Sequence, residues 1–255
     1  MDSSPVPPVT IRQTLREWWR DRREHHGFFP VIAELTKHLW DFLRASTPEQ
    51  RRRRFGDIDF DWDNRVNTTG ATVSWRNRLL GTFSSPYQAS EPALFHEMIG
   101  SVPVDFRHFS FVDLGCGKGR ALMLASDYPF RRIIGVELLP DLHRIAQDNL
   151  RVYKSTSQKC FDLECTCANA CRFDFPEQPL LVYLFNPFLE SVFAETMKRL
   201  EHSIQANPRP VFILYHNPLL EPYATRGGVF TRVAGTHQFA LLASDQARSM
   251  LFPQR

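Results

Sequence analysis

The sequence predicts an α/β fold: a doubly wound, mostly parallel seven-stranded sheet with an antiparallel C-terminal strand pair, preceded by an N-terminal helical extension. Two observations predict it. From Glu91 onward, short apolar runs of strand length alternate with helical stretches, which is the pattern of a parallel sheet covered by helices. Near the end of the chain, two apolar runs are joined at Gly235-Thr236. This connection is too short for a parallel crossover, so the two strands must be antiparallel.

Residues 1–85 are predicted to form a helical and loop-rich extension. Thr10 is the expected N-cap of a first helix, and a second helix with an apolar stripe follows at 31–43. Thr47-Pro48-Glu49-Gln50 has the composition of a capping box with Pro at the first helical position, and it predicts a short third helix. Residues 56–87 are rich in Asp, Asn, Gly and Ser, which predicts loop.

Residues 86–255 are predicted to form the α/β domain. The predicted strands are 109–114, 132–137, 161–167, 180–185, 211–215, 229–234 and 238–243, and the helices between them are 118–126, 141–153 and 189–204. A chain of 255 residues fits one large domain with an appendage, since domains have roughly 100–200 residues.

The composition argues against several classes of protein. The charge is nearly balanced, with 31 basic and 28 acidic side chains and a formal net charge of +3, so it does not favour a nucleic-acid partner. The apolar runs are far shorter than the ~20 residues that span a bilayer. The N-terminal residues lack the basic and apolar regions of a secretory signal. We therefore expect a cytoplasmic protein with no membrane partner.

The cysteines are predicted to be reduced thiols, because five of them occur in a chain without a recognisable secretory signal. Cys160, Cys165, Cys167 and Cys171 cluster in sequence, but structural zinc sites use well-separated pairs on turns. Cys165 and Cys167 instead fall on one face of a predicted strand. We expect no metal ion.

A glycine-rich turn follows the first predicted strand. Gly115, Gly117 and Gly119 come directly after Asp113, and the next strand ends at Glu137. Glycines permit positive φ angles and let a ligand lie against bare backbone, at the carboxyl ends of strands where open α/β sheets bind ligands. A carboxylate at Glu137 can accept hydrogen bonds from both hydroxyls of a ribose.

Two cofactor classes fit such a turn. A dinucleotide site needs G-x-G-x-x-G or -A, but here the third glycine comes one position early and Arg120 stands in its place. The spacing D-x-G-x-G-x-G resembles the first motif of the class I (seven-strand, Rossmann-like) S-adenosylmethionine-dependent methyltransferases. The resemblance implies that residues 86–255 bind S-adenosyl-L-methionine, with Asp113 and the three glycines at its methionine part and Glu137 at its ribose.

Two further segments extend the resemblance to the cofactor site. Cys167-Ala168-Asn169-Ala170 stands where the family has Gly-Asp-Ala, which implies an adenine contact from Asn169 and Ala170. Ser85-Pro86-Tyr87-Gln88-Ala89-Ser90 resembles the Tyr-x-Pro-Ser segment of some protein-lysine and related methyltransferases, with Ala89 in place of Pro. That segment folds over the cofactor, so Tyr87 and Gln88 are implied to cover it.

The acceptor side is predicted from the ends of the fourth and fifth strands. Phe185-Asn186-Pro187-Phe188 resembles the Asn/Asp-Pro-Pro-aromatic motif of amino-group methyltransferases, with one Pro missing. The resemblance implies that Asn186 accepts a hydrogen bond from the substrate nitrogen and that Phe188 lies beside it. Tyr215 is a further candidate for the acceptor site. Ordinary turns from strand to helix explain both segments as well. The predicted acceptor is an amine, of a protein lysine or a small metabolite.

Two functions of other classes stay open. The first is a non-catalytic methyltransferase-like module, and the intact set of Asp113, glycines and Glu137 argues against it. The second is a nucleotide-dependent oxidoreductase, and Arg120 argues against that. The N-terminal helices are predicted to cap the cofactor cleft and to shape the choice of acceptor.

Overall fold

The protein is described here from a computed structural model, which covers residues 11–26, 32–37, 40, 58–69, 87–185 and 188–251. In the N-terminal part, helix α1 spans Ile11–His26, residues 32–37 are helical, and helix α2 spans Ile58–Asn64. Helix α2 corrects the loop-rich prediction at residues 58–64, and residues 70–86 of that stretch lie outside the described residues. The helix predicted after Thr47 lies outside the described residues.

The C-terminal part is built on a seven-stranded sheet with the strand order β3-β2-β1-β4-β5-β7-β6. The strands are β1 (Ser110–Leu114), β2 (Arg132–Glu137), β3 (Leu163–Cys167), β4 (Leu180–Phe185), β5 (Val211–His216), β6 (Phe230–Gly235) and β7 (Phe239–Ser244). Neighbouring strands are parallel except β7, which runs antiparallel to β5 and β6. The predicted fold class is therefore confirmed, including the antiparallel C-terminal pair.

Helices cover both faces of the sheet. They are α3 (Pro92–Gly100), α4 (Arg120–Ala125), α5 (Pro140–Val152), α6 (Glu190–Ala206), α7 (Glu221–Thr225) and α8 (Asp245–Leu251). One buried layer contains Phe95 of α3, Leu122 of α4 and Ala146 of α5. The other contains Phe193 of α6 and Ala224 of α7. Strand β1 is buried along its whole length, as expected for a central strand covered on both sides.

The strand order reverses beside β1, and this reversal defines the place of a ligand crevice. β2 and β3 lie on one side of β1, whereas β4 and β5 lie on the other. The connections after β1 and β4 therefore leave the sheet in opposite directions, which opens a crevice at the carboxyl ends of these strands. Among the described residues, no helix is long and apolar enough to cross a membrane.

Helix α1 is held by a single buried aromatic side chain. Trp18 is 1% exposed and packs against Leu15, Trp19, Leu35 and Leu189. Leu189 belongs to the α/β part, where it directly precedes α6. The contact places α1 next to the segment that connects β4 to α6.

Candidate cofactor and acceptor site

The glycine-rich turn adopts the conformation for which its glycines are needed. Gly115, Gly117 and Gly119 have φ angles of 85°, 56° and 83°, a region that side chains with a Cβ rarely adopt. The amides of Gly115 and Cys116 donate to the carbonyl of Val136 at 2.8 and 3.1 Å, which ties the turn to β2. The turn thus presents bare backbone at the crevice beside β1.

Glu137 fixes the other side of the turn. Its carboxylate accepts hydrogen bonds from the amides of Gly117 and Leu139, both at 2.8 Å. Burial raises the pKa of Glu137, and the hydrogen bonds from the two amides oppose that rise. Each carboxylate oxygen keeps a second lone-pair direction, so Glu137 can hold the turn and still accept hydrogen bonds from a ligand.

Asp113 lies at the end of β1 and is 3% exposed. Burial raises the pKa of the Asp113 carboxyl well above its usual range, and the nearby Glu137 raises it further. Two carboxyl groups in one low-dielectric crevice repel each other when both are charged. A ligand that brings positive charge and hydroxyl donors would stabilise both carboxylates.

Tyr87 lies against the glycine-rich turn. A Cβ on Gly117 would come within 2.4 Å of the Tyr87 ring, so the aromatic side chain fits only above a glycine. The Tyr87 hydroxyl donates to the Thr68 carbonyl at 2.6 Å, and Lys118 Nζ is 5.4 Å from the ring centroid. Gln88 is exposed.

Residues 58–69, called here the bracing segment, attach to the turn through buried polar contacts. Asp61 accepts hydrogen bonds from the amides of Thr68 and Thr69 at 2.7 and 2.8 Å, and Arg120 Nη2 is 3.2 Å from its carboxylate. Arg120 Nε donates to Thr68 Oγ1 at 2.6 Å. Lys118 Nζ donates to the Thr69 carbonyl at 2.7 Å. The two basic residues of the glycine motif are thereby bound to the N-terminal part of the chain.

Sequence reasoning missed these contacts of the bracing segment. The available signal was the presence of Lys118 and Arg120 in a turn that enters a buried helix, because buried cations require partners. Helix α4 is buried throughout, including Arg120 at 2% exposure. Phe60 of α2 also stacks on the Arg120 guanidinium, at 4.8 Å from the ring centroid.

Asn169 follows β3 and caps a short 3₁₀ turn at Ala170–Arg172. Its Oδ1 accepts a hydrogen bond from the Cys171 amide at 2.9 Å, and Ala170 is buried. The resemblance had implied Asn169 as an adenine acceptor. In the structure this oxygen accepts one hydrogen bond within the local cap and keeps a second lone-pair direction, so the adenine contact stays a prediction.

The two described acceptor candidates, Tyr215 and Phe188, lie against the same layer of the sheet. Tyr215 is 0% exposed, its ring stacks on Phe193 at 5.4 Å, and its hydroxyl accepts from the Leu220 amide at 3.2 Å. These contacts direct the Tyr215 side chain into the layer of α6, and its role at the acceptor site stays a prediction. Phe188 is half-buried against the same layer. Asn186 lies outside the described residues.

The neighbour of Tyr215 points the other way. His216 stacks on Phe185, with ring centroids 3.8 Å apart and an angle of 19° between the planes. Its Nδ1 lies 3.1 Å from the hydroxyl of Tyr183, which is 2.9 Å from Ser90 Oγ. His216 and Phe185 both stand at the carboxyl ends of their strands, next to each other in the sheet.

In the described ranges, no group of three or more His, Cys, Asp or Glu side chains is placed to hold a metal ion. Two cysteine side chains in these ranges lie close together. Cys116 of the turn and Cys165 of β3 are both buried, and their sulfur atoms are 3.3 Å apart.

Comparisons with known proteins were made with sequence and with structure. No protein-family model matches the chain. A histone-lysine N-methyltransferase specific for lysine 79 of histone H3, from Dictyostelium discoideum, is 32% identical over an alignment of 129 residues, and the match covers 44% of this chain. The match spans only 7% of the length of that relative.

Solved structures with a similar fold include two methyltransferases. An RNA methyltransferase from Salinibacter ruber, in complex with S-adenosyl-L-homocysteine, aligns with a TM-score of 0.41 and 18% identity, over 62% of this chain and 92% of its own. A dimethyladenosine transferase from Plasmodium falciparum aligns with a TM-score of 0.44 and 11% identity, over 64% of each chain. Together with the strand order, the sequence match confirms the predicted resemblance to the class I methyltransferases.

Proposed function

We propose that this chain is an S-adenosylmethionine-dependent methyltransferase and that its acceptor is the side-chain amine of a protein lysine. The pair of buried carboxyl groups, Asp113 and Glu137, on either side of the glycine turn supports the cofactor. The similarity over 129 residues to a lysine-specific methyltransferase is the observation that carries the choice of acceptor.

The residues of the crevice suit this cofactor chemically. S-adenosylmethionine carries a methyl group on a sulfonium, has a second positive charge on its amino group, and has two ribose hydroxyls. Asp113 and the turn would hold the methionine part, and Glu137 would accept hydrogen bonds from the ribose. The other proposed cofactor contacts are Tyr87 and Gln88 over the turn and Asn169 and Ala170 at the adenine.

The task that remains for the protein is alignment. Because the methyl group is already activated, catalysis depends on holding the acceptor nitrogen in line with it at near-attack distance. Asn186 and Phe188 stay proposed as acceptor-side residues on the strength of their motif. Helix α1 reaches the same region through the contact of Trp18 with Leu189. We propose that the extension thereby shapes the choice of acceptor.

We propose a cytoplasmic location for this enzyme. The two rival functions make different demands on the site. An oxidoreductase would bind a dinucleotide, for which Arg120 is in the wrong place and is already bound to Asp61. A non-catalytic module would bind the cofactor without turnover.

The test combines binding and turnover on the purified chain. Calorimetry with S-adenosylhomocysteine and with NAD should show micromolar binding of the first only. Incubation with S-adenosylmethionine and core histones, followed by mass spectrometry of tryptic peptides, should show lysines that carry one to three added methyl groups. The Glu137→Ala variant serves as the control for cofactor dependence. Tight NAD binding alone would contradict the methyltransferase assignment, and methylation of free small amines but not of proteins would contradict the lysine assignment.

A further inference from the structure

We infer that His216 contacts the methyl acceptor through its Nε2 atom, and that Tyr183 and Ser90 act as positioning residues that hold the imidazole in place. The inference rests on the proposed function and adds to it a residue of the acceptor site. It assigns to the end of β5 the role that sequence reasoning gave to Tyr215.

The geometry of the ring leaves one nitrogen available. Nδ1 of His216 faces the Tyr183 hydroxyl at 3.1 Å, and the Phe185 ring covers one face of the imidazole. Across the described part of the chain, Nε2 has no hydrogen-bond partner, and it is not among the buried polar atoms that lack one. His216 keeps 8% of its surface exposed. Nε2 is therefore the atom that reaches the crevice at the end of the sheet.

The supporting hydroxyls fix the ring without dictating its tautomer. Tyr183 lies between Nδ1 of His216 and Oγ of Ser90, and each of the two hydroxyls can donate or accept. If Nδ1–H donates to Tyr183, and Tyr183 donates to Ser90, then Nε2 carries a lone pair. This arrangement accepts a hydrogen bond from an amine. It is the tautomer that a lysine acceptor would select.

The charge state of His216 also suits a contact with the acceptor amine. Burial lowers the pKa of His216 to about 4, and the Glu91 carboxylate at the start of α3 opposes that shift. Tyr183, facing it from β4, is itself kept neutral, because burial raises its pKa and Asp113 adds to the rise. The imidazole is thus neutral at physiological pH. It does not repel a cationic lysine, and it has a lone pair that can orient the lysine nitrogen.

In the proposed methyl transfer, the lysine ammonium loses one proton to water while its nitrogen hydrogen-bonds to Nε2 of His216. The nitrogen lone pair then forms the new N–C bond, the C–S bond breaks, and sulfur keeps the electron pair. In this scheme His216 orients the amine and is not consumed.

The test uses a probe that needs no identified protein substrate. The probe is an analogue of S-adenosylhomocysteine in which nitrogen replaces sulfur and carries an aminoethyl group, so that an amine extends to the acceptor side. We expect the wild-type chain to prefer this probe over S-adenosylhomocysteine by about tenfold to a hundredfold, as for a hydrogen bond to a charged group. His216→Phe, which keeps the stacking on Phe185, should abolish the preference while S-adenosylhomocysteine still binds as in the wild type.

Three further variants make the result specific. His216→Gln offers an amide oxygen and should restore part of the preference, and Tyr183→Phe should reduce it without removing it. His96→Phe is the matched control, since His96 also contacts a tyrosine hydroxyl, that of Tyr128 at 2.9 Å, on the far part of α3. It should leave the preference unchanged.

The outcomes separate the inference from the function on which it rests. If the wild type binds S-adenosylhomocysteine but shows no preference for the amine probe, or if His216→Phe keeps the preference, the role of His216 is overturned and the cofactor assignment stands. If the wild type binds neither compound, the proposed function itself fails, and the inference fails with it.

Discussion

The backbone amide of Gly117 donates a 2.8 Å hydrogen bond to the carboxylate of Glu137, and this contact joins the glycine turn to the end of β2. The same carboxylate also accepts from the Leu139 amide. Glu137 therefore has two tasks: it would bind the ribose, and it already holds the turn in the absence of a ligand. The two tasks can be separated by experiment.

The first prediction concerns Glu137→Ala. The substitution removes charge-assisted hydrogen bonds that together are worth on the order of 1.5–3 kcal/mol, so affinity for S-adenosylhomocysteine should fall about tenfold to a hundredfold. Because the amides of Gly117 and Leu139 lose their acceptor, the melting temperature of the ligand-free protein should fall as well. Calorimetry and thermal denaturation measure the two effects. Glu164→Ala, at an exposed ion pair with Arg132, is the control and should change neither. Unchanged affinity in Glu137→Ala would show that the ribose lies elsewhere.

The second prediction concerns the pH dependence of stability at Asp113. Its pKa in the folded protein lies well above the usual value, so the folded state binds the proton more tightly than the unfolded chain does. Stability is then lost as the pH rises from the ordinary carboxyl range through the raised folded pKa. Asp113→Asn removes this loss. The variant should be more stable than the wild type at pH 8, should lose that advantage near pH 4, and should bind S-adenosylhomocysteine more weakly.

Denaturant unfolding of the ligand-free chain between pH 4 and pH 8 measures this difference. The wild type and the variant should diverge as the pH rises. Glu137 also has a raised pKa, so a smaller slope of the same sign remains in the variant. Parallel curves for the two proteins would mean that Asp113 is not a buried, destabilising charge.

The third prediction concerns the brace between Asp61 and Arg120. Breaking a buried ion pair by removing one charge costs roughly 3–5 kcal/mol, because the remaining charge stays buried. Asp61→Asn should therefore destabilise the protein strongly and also weaken cofactor binding, since Arg120 begins the helix that follows the turn. Asp63→Asn changes an exposed carboxylate of the same helix and should have little effect on either quantity. Equal unfolding free energies for the two variants would contradict the claim that the ion pair between Asp61 and Arg120 stabilises the protein.

The features that sequence reasoning predicted are those encoded locally. Strands β4 and β5 are nearly continuous apolar runs, and the turn is recognisable because its glycines follow a strand at fixed spacing. The brace could not be predicted in the same way, since Asp61 and Arg120 are 59 positions apart and their pairing depends on how α2 packs. The alternation Asp-Phe-Asp-Trp-Asp in α2 also lacks the period of an amphipathic helix.

The choice between Tyr215 and His216 shows a second limit. Successive side chains of a strand point to opposite faces, so a motif at a strand end does not tell which residue faces the crevice. The register decides it: His216 pairs with Phe185, and Tyr215 pairs with Leu184. The sequence placed an acceptor candidate at the end of β5, and the contacts in the sheet separate Tyr215, which faces α6, from His216, which stacks on Phe185.

The last prediction concerns the contact between the turn and the sheet at Gly135. A Cβ on Gly135 would lie 2.7 Å from the sulfur of Cys116 and 2.6 Å from Cδ1 of Leu122, so the absence of a side chain makes room for both. Gly135→Ala should therefore destabilise the protein by about 1–3 kcal/mol, as for overpacking in a core. Because Cys116 belongs to the turn, its displacement should also weaken the binding of S-adenosylhomocysteine.

A double-mutant cycle distinguishes this cause from a general loss of stability. Cys116→Ala removes the sulfur, which also ends its 3.3 Å contact with Cys165, and leaves the turn glycines in place. In the double variant the contact with sulfur is gone, while the contacts with Leu122 Cδ1 and with the Cβ of residue 116 remain. Part of the lost affinity should therefore return, with a coupling of the two sites on the order of 0.5–3 kcal/mol. Gly100→Ala is the control, since a Cβ there meets nothing within 4 Å. Additive effects of Gly135→Ala and Cys116→Ala would show that the thiol does not transmit the strain to the turn, and that Gly135 acts through Leu122 and α4 instead.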